Sequence, residues 1–324
     1  MDRASRNFAF LVGLSLTFVG YGVCGLIAYA LLPLAGGDAG ASPLAGAVAL
    51  GLLLALVGAS TALGARAVWR HRVDNARLVR RIERAAVAVP DELRPLAHEV
   101  GLAGRIVVVE RAELFSFVYG LFVPRVAISA GMLERLSPAE LRAALEHERY
   151  HVRNLDPLRE LIGRVLAESL FFLPLAASLH GRYATERELA ADRRASALVG
   201  RRPLAGALLA ALESPHPAPR TGVALGGSAL LASRLAQLEA GRPSREDGID
   251  GGALLRSAIG LAVVGTLFLA AVYGVGGAAA MARLVAAELA PANLFAGIAV
   301  CVAPLLALVG LGYGRLAWRA RRPP

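Results

Sequence analysis

Residues 146–151 read Glu-His-Glu-Arg-Tyr-His. His147 and His151 are four positions apart, and Glu148 follows the first directly. On an α-helix, positions i and i+4 share a face, so this spacing aims two imidazole nitrogens at one ion. Glu148 falls about 100° around the same helix, near enough to reach a water on that ion without ligating it. Zinc lowers the pKa of such a water to about 7, and an adjacent carboxylate takes its proton as it attacks a carbonyl carbon. This is the logic of His-Glu-x-x-His metallopeptidases. With six histidines and 25 acidic residues in 324, a chain of this composition holds such a match by chance about 0.01 times. The competing reading is a histidine pair on a solvated helix face, with Glu148 in an ordinary surface ion pair.

A catalytic zinc takes a third protein ligand and keeps one position open. Glu188 is the better candidate, in Glu188-Leu189-Ala190-Ala191-Asp192. Glu188 and Asp192 are again i and i+4, on a separate helix. Glu188 would complete a His2Glu set, and Asp192 would accept the second N–H of a ligating histidine and fix its tautomer. The blander reading is an acidic face flanked by Arg187, Arg193 and Arg194 in solvent. His180 is the second choice as ligand; His71, His98 and His216 lie elsewhere. Tyr183, Arg187 and His180 are the nearby candidates for stabilising an oxyanion.

These side chains need helices to hold them. Ser137 caps, Pro138 suits the first helical position, and Glu140 completes a Ser-x-x-Glu capping box; the spacing predicts a helix from there through Val152. Before it, GRIVVVERAELFSFVYGLFVPRVAIS (104–129) is rich in β-branched and aromatic residues. Gly120 and Pro124 interrupt it, which predicts two or three short strands. Residues 156–173 carry leucine and isoleucine at helical spacing opposite Arg159, Glu160, Arg164 and Glu168. Those charges argue against a membrane span. A third helix over 176–199 stops at Gly200. Segments 213–228 and 240–252 read as loops, and residues 66–87 as an arginine-rich helix broken by Pro90 and Pro95.

The rest of the chain sets the compartment. Of its residues 56% are hydrophobic, too many for an ordinary soluble protein. Four apolar runs, about 8–34, 44–65, 257–280 and 293–313, are each long enough to cross a bilayer as a helix. Every basic residue is arginine, and the net charge is +10. The arginines cluster before the first run, after the second and after the fourth. The 35–43 loop has none and the loop between the last two runs has only Arg283. By the positive-inside rule both termini and the 66–256 segment are cytoplasmic. That placement accounts for the charge without direct nucleic-acid binding. Trp69 and Trp318 mark the expected interfacial ends of two spans; Cys24 and Cys301 fall inside spans as small buried hydrophobes. The expected plan is two transmembrane helices in 1–69, a polar domain in 70–252, and two transmembrane helices with a basic tail in 253–324.

The segment 104–200 resembles the membrane zinc peptidases of the BlaR/MecR antirepressor type. The resemblance rests on "FSFVYGLFVPRVAISAGMLERLSPAELRAALEHERYHVRNLDPL", "FFLP" and "ERELAADRRA". It implies an α-helical integral membrane protein of four transmembrane helices, with a cytoplasmic α+β gluzincin-like zinc peptidase domain containing a small sheet. It implies one Zn2+ per chain on His147, His151 and Glu188, Glu148 as general base, and Asp192 behind a ligand. It also implies a multi-pass protein of the plasma membrane cleaving protein or peptide substrates, such as a winged-helix repressor. In the antirepressors a penicillin-binding sensor follows the last span; only eleven residues follow the fourth run here, so the expectation is a peptidase without that sensor. HtpX-like quality-control and CAAX-processing peptidases share both motifs but place spans between them. The HtpX-like reading stays open as an alternative, as does a non-catalytic signalling scaffold. The oligomeric state is left open.

Overall fold

The computed structural model describes residues 2–16, 43–213, 223–224, 231–240 and 250–288. The expected span 293–313 and most of 8–34 lie outside them. By contact the chain divides into two units: Met1–Leu11 with Ser60–Leu254, and Val12–Ala59 with Leu255–Pro324.

Two described helices are long and apolar enough to cross a membrane, Leu44–Arg84 and Gly251–Ala271. Their apolar side chains, among them Leu52, Leu54, Val57, Ile259, Leu261 and Val263, are exposed. A soluble core helix would bury such residues against protein. The first of these helices is α2 (Pro43–Arg84); α1 covers 3–16. The sequence suggests a separate arginine-rich helix over 66–87. Instead the helix runs on from the apolar stretch without a break, because no proline or run of glycines interrupts it. It also stops sooner, since Ala86–Val87 forms strand β1.

A short helix α3 (Leu93–Glu99) follows. Pro95 sits inside its first turn, where no backbone donor is needed. The 104–129 stretch gives three strands, β2 (Ile106–Val109), β3 (Ser116–Tyr119) and β4 (Arg125–Ser129). A fifth, β5 (Val223–Ala224), lies within a segment that reads as loop. The sheet order is β1-β2-β4-β3-β5. β2 and β4 run parallel, and the other neighbours are antiparallel. Gly120, at φ 88°, turns the chain between β3 and β4.

Ser129 caps the one-and-a-half-turn α4 (Ala130–Arg135). The capping box then forms as the sequence implies: the Ser137 backbone N–H donates to Glu140 Oε2 at 2.9 Å, and the Glu140 N–H donates to Ser137 Oγ. It opens α5 (Pro138–Asn154). Ala143, Ala144, Leu145 and Val152 bury one face of α5 in a core with Val118, Val126 and Ile128 of the sheet. The small alanines let the helix lie close to its neighbours.

Leu155 turns the chain in the left-handed region, φ 53° and ψ 42°, and α6 (Asp156–Ser169) begins at once. The helix expected over 156–173 ends four residues early, because Pro174 starts α7 (Pro174–Val199). Gly200, at φ 98°, stops α7 as expected. Three helices complete the described chain: α8 (Arg201–Glu213), α9 (Leu231–Ala240) and α10 (Gly251–Glu288).

The beginning of α1 belongs to the first unit. Asp2 Oδ1 accepts from the Ser5 N–H and its Oδ2 accepts from the Tyr150 hydroxyl at 2.6 Å. The Phe8 ring lies 5.3 Å from that of Tyr183. Phe8 opens the first apolar run of the sequence, yet its ring packs against Tyr183 and Arg159.

Candidate metal centre

α5 brings His147 and His151 one above the other. Their Nε2 atoms are 3.1 Å apart. Glu188 reaches in from α7: its Oε2 lies 3.5 Å from His147 Nε2, and its Oε1 lies 3.8 Å from His151 Nε2. Both histidines are fully buried and Glu188 nearly so. One donor atom from each of the three falls within 4.8 Å of the others.

Behind each imidazole stands a carboxylate. His147 Nδ1 faces Asp192 Oδ1 at 2.9 Å, and His151 Nδ1 is hydrogen-bonded with Asp156 Oδ2 at 2.6 Å. These carboxylates draw the ring protons to Nδ1. The two Nε2 atoms and a Glu188 oxygen then face one another, an arrangement that needs a proton or a metal cation among them. Two donors each about 2.0–2.1 Å from a tetrahedral zinc are roughly 3.3 Å apart. The observed separations bracket that value, and the nitrogen and oxygen donors are of the kind zinc takes. The residues therefore fit a metal of this class.

Charge in the site follows the same layout. Burial lowers the pKa of His147, but the Asp192 and Glu188 carboxylates outweigh it and lift the imidazole to about 9. Burial pushes Glu188 up, and the two imidazoles with Arg234 more than reverse it, holding the carboxyl well below its ordinary value. For Glu148 burial dominates and its pKa is raised, despite the pull of His147 and His151. Glu148 Oε1 accepts from the Ser116 hydroxyl of β3 at 2.7 Å; Oε2 has no hydrogen-bond partner among the described residues.

Several members of the site are not visible in a motif. Asp156, Ser116, Tyr183 and Arg234 reach it from four elements. Tyr183 is fully buried and donates to Asp156 Oδ1 at 3.1 Å. Arg234 on α9 grips Asp192 through Nε and Nη2, both at 2.6 Å. Tyr183 enters the sequence reading only as an oxyanion candidate; of the other three, Asp156 alone offers a local signal, as an acid at the start of a helix. His180, the second-choice ligand, stands outside the donor set, with Nε2 3.3 Å from Glu160 Oε1. Of the oxyanion candidates, Tyr183 is turned to Asp156. Arg187 donates to Glu160 Oε2 at 2.6 Å, with its Nε 3.6 Å from Glu188.

Two histidines one helical turn apart, a carboxylate from a second helix and a free carboxylate oxygen beside them describe a metal-dependent hydrolase. The comparison with known families agrees: the model for BlaR1 peptidase M56 matches residues 41–238. That is well over half of the chain, and the chain belongs to this metallopeptidase family. No curated protein matches it.

Proposed function

We propose that this protein is a membrane-embedded zinc endopeptidase that cleaves protein substrates at the cytoplasmic face. One observation carries the reading: donor atoms of His147, His151 and Glu188 converge, with a carboxylate behind each imidazole. His147, His151 and Glu188 would hold the zinc. The chemistry supplied by zinc in this donor set is Lewis acidity toward water and toward a scissile carbonyl. Asp192 and Asp156 keep the two rings in register.

Glu148 is the general base. Ser116 fixes one of its oxygens, which leaves Oε2 to take a proton from the attacking water and return it to the leaving amine. The upward pull of burial on its pKa suits a base that must also give the proton back. The membrane topology is proposed from the arginine distribution: four spans, with both termini and the 70–252 domain in the cytoplasm. A regulatory substrate, a winged-helix repressor, is the proposed target class.

Metal content by mass spectrometry tests the reading on detergent-purified wild type beside His147→Ala and Glu188→Ala. About one zinc per chain, lost in both variants, is the expected result. A folded, zinc-supplied wild type without metal would overturn it.

A further inference from the structure

Arg234 is one of 35 arginines, and no spacing or motif singles it out. In the fold it is the most buried arginine among the described residues, 2% exposed. A guanidinium in that position needs a matched anion, because a buried charge without one is strongly disfavoured. Its partner is Asp192, which is fully buried too. The planar fork of arginine matches a carboxylate edge to edge, and two contacts of 2.6 Å show that geometry here.

The orientation matters more than the pairing. Asp192 Oδ1 accepts from Arg234 Nη2 and also faces His147 Nδ1 at 2.9 Å. That oxygen is held from two sides, so the carboxylate cannot rotate without breaking one of the two contacts. Arg234 Nη1 also lies 3.9 Å from Glu188 Oε2. The same helix face carries Gln237, three residues on. Its amide donates to the Leu189 carbonyl at 2.9 Å and its oxygen accepts from Arg193 at 2.8 Å. Leu238 adds an apolar contact with the main core. α9 is thereby fixed to the part of α7 that holds Glu188 and Asp192.

We propose that Arg234 is a positioning residue of the metal centre: it locks Asp192 so that His147 presents Nε2 to the metal, and metal affinity depends on the docking of α9. This rests on His147, His151 and Glu188 being the metal ligands. A residue that merely stabilises the fold would act whether or not Asp192 could hold His147; a positioning residue acts only through Asp192.

The test is zinc affinity by chelator competition, together with the visible spectrum of the cobalt-loaded full-length protein in detergent. It compares wild type, Arg234→Met, Arg234→Lys, Asp192→Asn and the double variant Asp192→Asn with Arg234→Met. The expected loss is about 10–100-fold in affinity for Arg234→Met, with a changed cobalt spectrum. Arg234→Lys should recover part of it, since lysine keeps the charge but loses the fork. In the Asp192→Asn background, Arg234→Met should add little, the non-additivity expected of one chain of contacts. Should Arg234→Met fail to fold, Arg234→Lys carries the comparison, with a weaker but measurable loss. Wild-type affinity and spectrum in a folded Arg234 variant would overturn the proposal while leaving the metal reading intact. A wild type that binds neither zinc nor cobalt would remove both.

Discussion

His151 takes its carboxylate from Asp156, five residues along the same stretch of chain. His147 takes its carboxylate from Asp192, on another helix, and that aspartate is in turn gripped by Arg234, 42 residues further on. The first support is built into a helix–turn–helix and forms whenever α5 and α6 form. The second exists only when α5, α7 and α9 are packed together. Two identical jobs, orienting one imidazole each, are thus done by a local device and by a long-range one. The long-range device links metal binding to completion of the tertiary fold, and the local one does not.

The largest effect should come from a residue that belongs to neither support. Glu148→Gln should lower cleavage by at least about 10²-fold while zinc content stays at the wild-type level, because neither histidine support is touched. Full activity in that variant would remove Glu148 from the mechanism.

Next come the two aspartates. Asp192→Ala and Asp156→Ala should each weaken zinc binding by about 10–100-fold, but their effects on the fold should differ. Asp192→Ala leaves the Arg234 guanidinium buried without its main counter-ion, a loss of about 3–5 kcal/mol. Asp156→Ala leaves only the Tyr183 hydroxyl and one imidazole nitrogen short of a partner, about 1–3 kcal/mol. Denaturant midpoints in detergent would read the difference, and equal destabilisation would erase the contrast between the two supports.

The pH response should separate metal-free from metal-loaded protein. The His147 pKa, lifted to about 9 in the fold, stands above the ordinary value of about 6.5. In the metal-free protein this stabilisation is fully present below about pH 6.5 and is lost as pH rises through 9. Metal must displace the same proton, so zinc affinity should rise across that window. Melting temperature against pH should therefore fall for the metal-free form, while zinc affinity by titration rises.

The smallest effect belongs to Tyr183→Phe. It removes one hydrogen bond to Asp156 and keeps the Phe8 ring contact. A loss of about 1 kcal/mol in stability with near-normal zinc affinity is expected; a large loss of zinc would mean that the local support also depends on distant packing.

The same distinction governs what the sequence could reveal. Helix α5 and its capping box are legible because Ser137, Pro138 and Glu140 act within one turn. The grouping of His147 with His151, and of Glu188 with Asp192, follows from helical period alone. The meeting of the two groups follows from the need of a catalytic zinc for a third ligand, and the resemblance supports it. Arg234 and Ser116 are invisible, since nothing near them in sequence marks them as partners of Asp192 and Glu148. Helix boundaries failed where two signals competed. Arginine content suggested a new helix at residue 66, but propensity carried α2 through to Arg84. Leucine periodicity carried α6 too far, and Pro174 ended that reading. The β5 strand is two residues long and depends wholly on pairing with β3.

Leu155 holds a left-handed backbone conformation that a leucine adopts at a cost of roughly 1–2 kcal/mol. It is the only non-glycine residue with positive φ among those described. A glycine would relieve the steric strain, but it would also loosen the corner that aims Asp156 at His151. Asp156 follows this residue directly, so the backbone angles at Leu155 set where that carboxylate stands relative to His151. For anyone seeking a sturdier form of the protein, Leu155→Gly is therefore a misleading target. The freedom that a glycine brings would widen the angles open to the corner at which one carboxylate meets its imidazole.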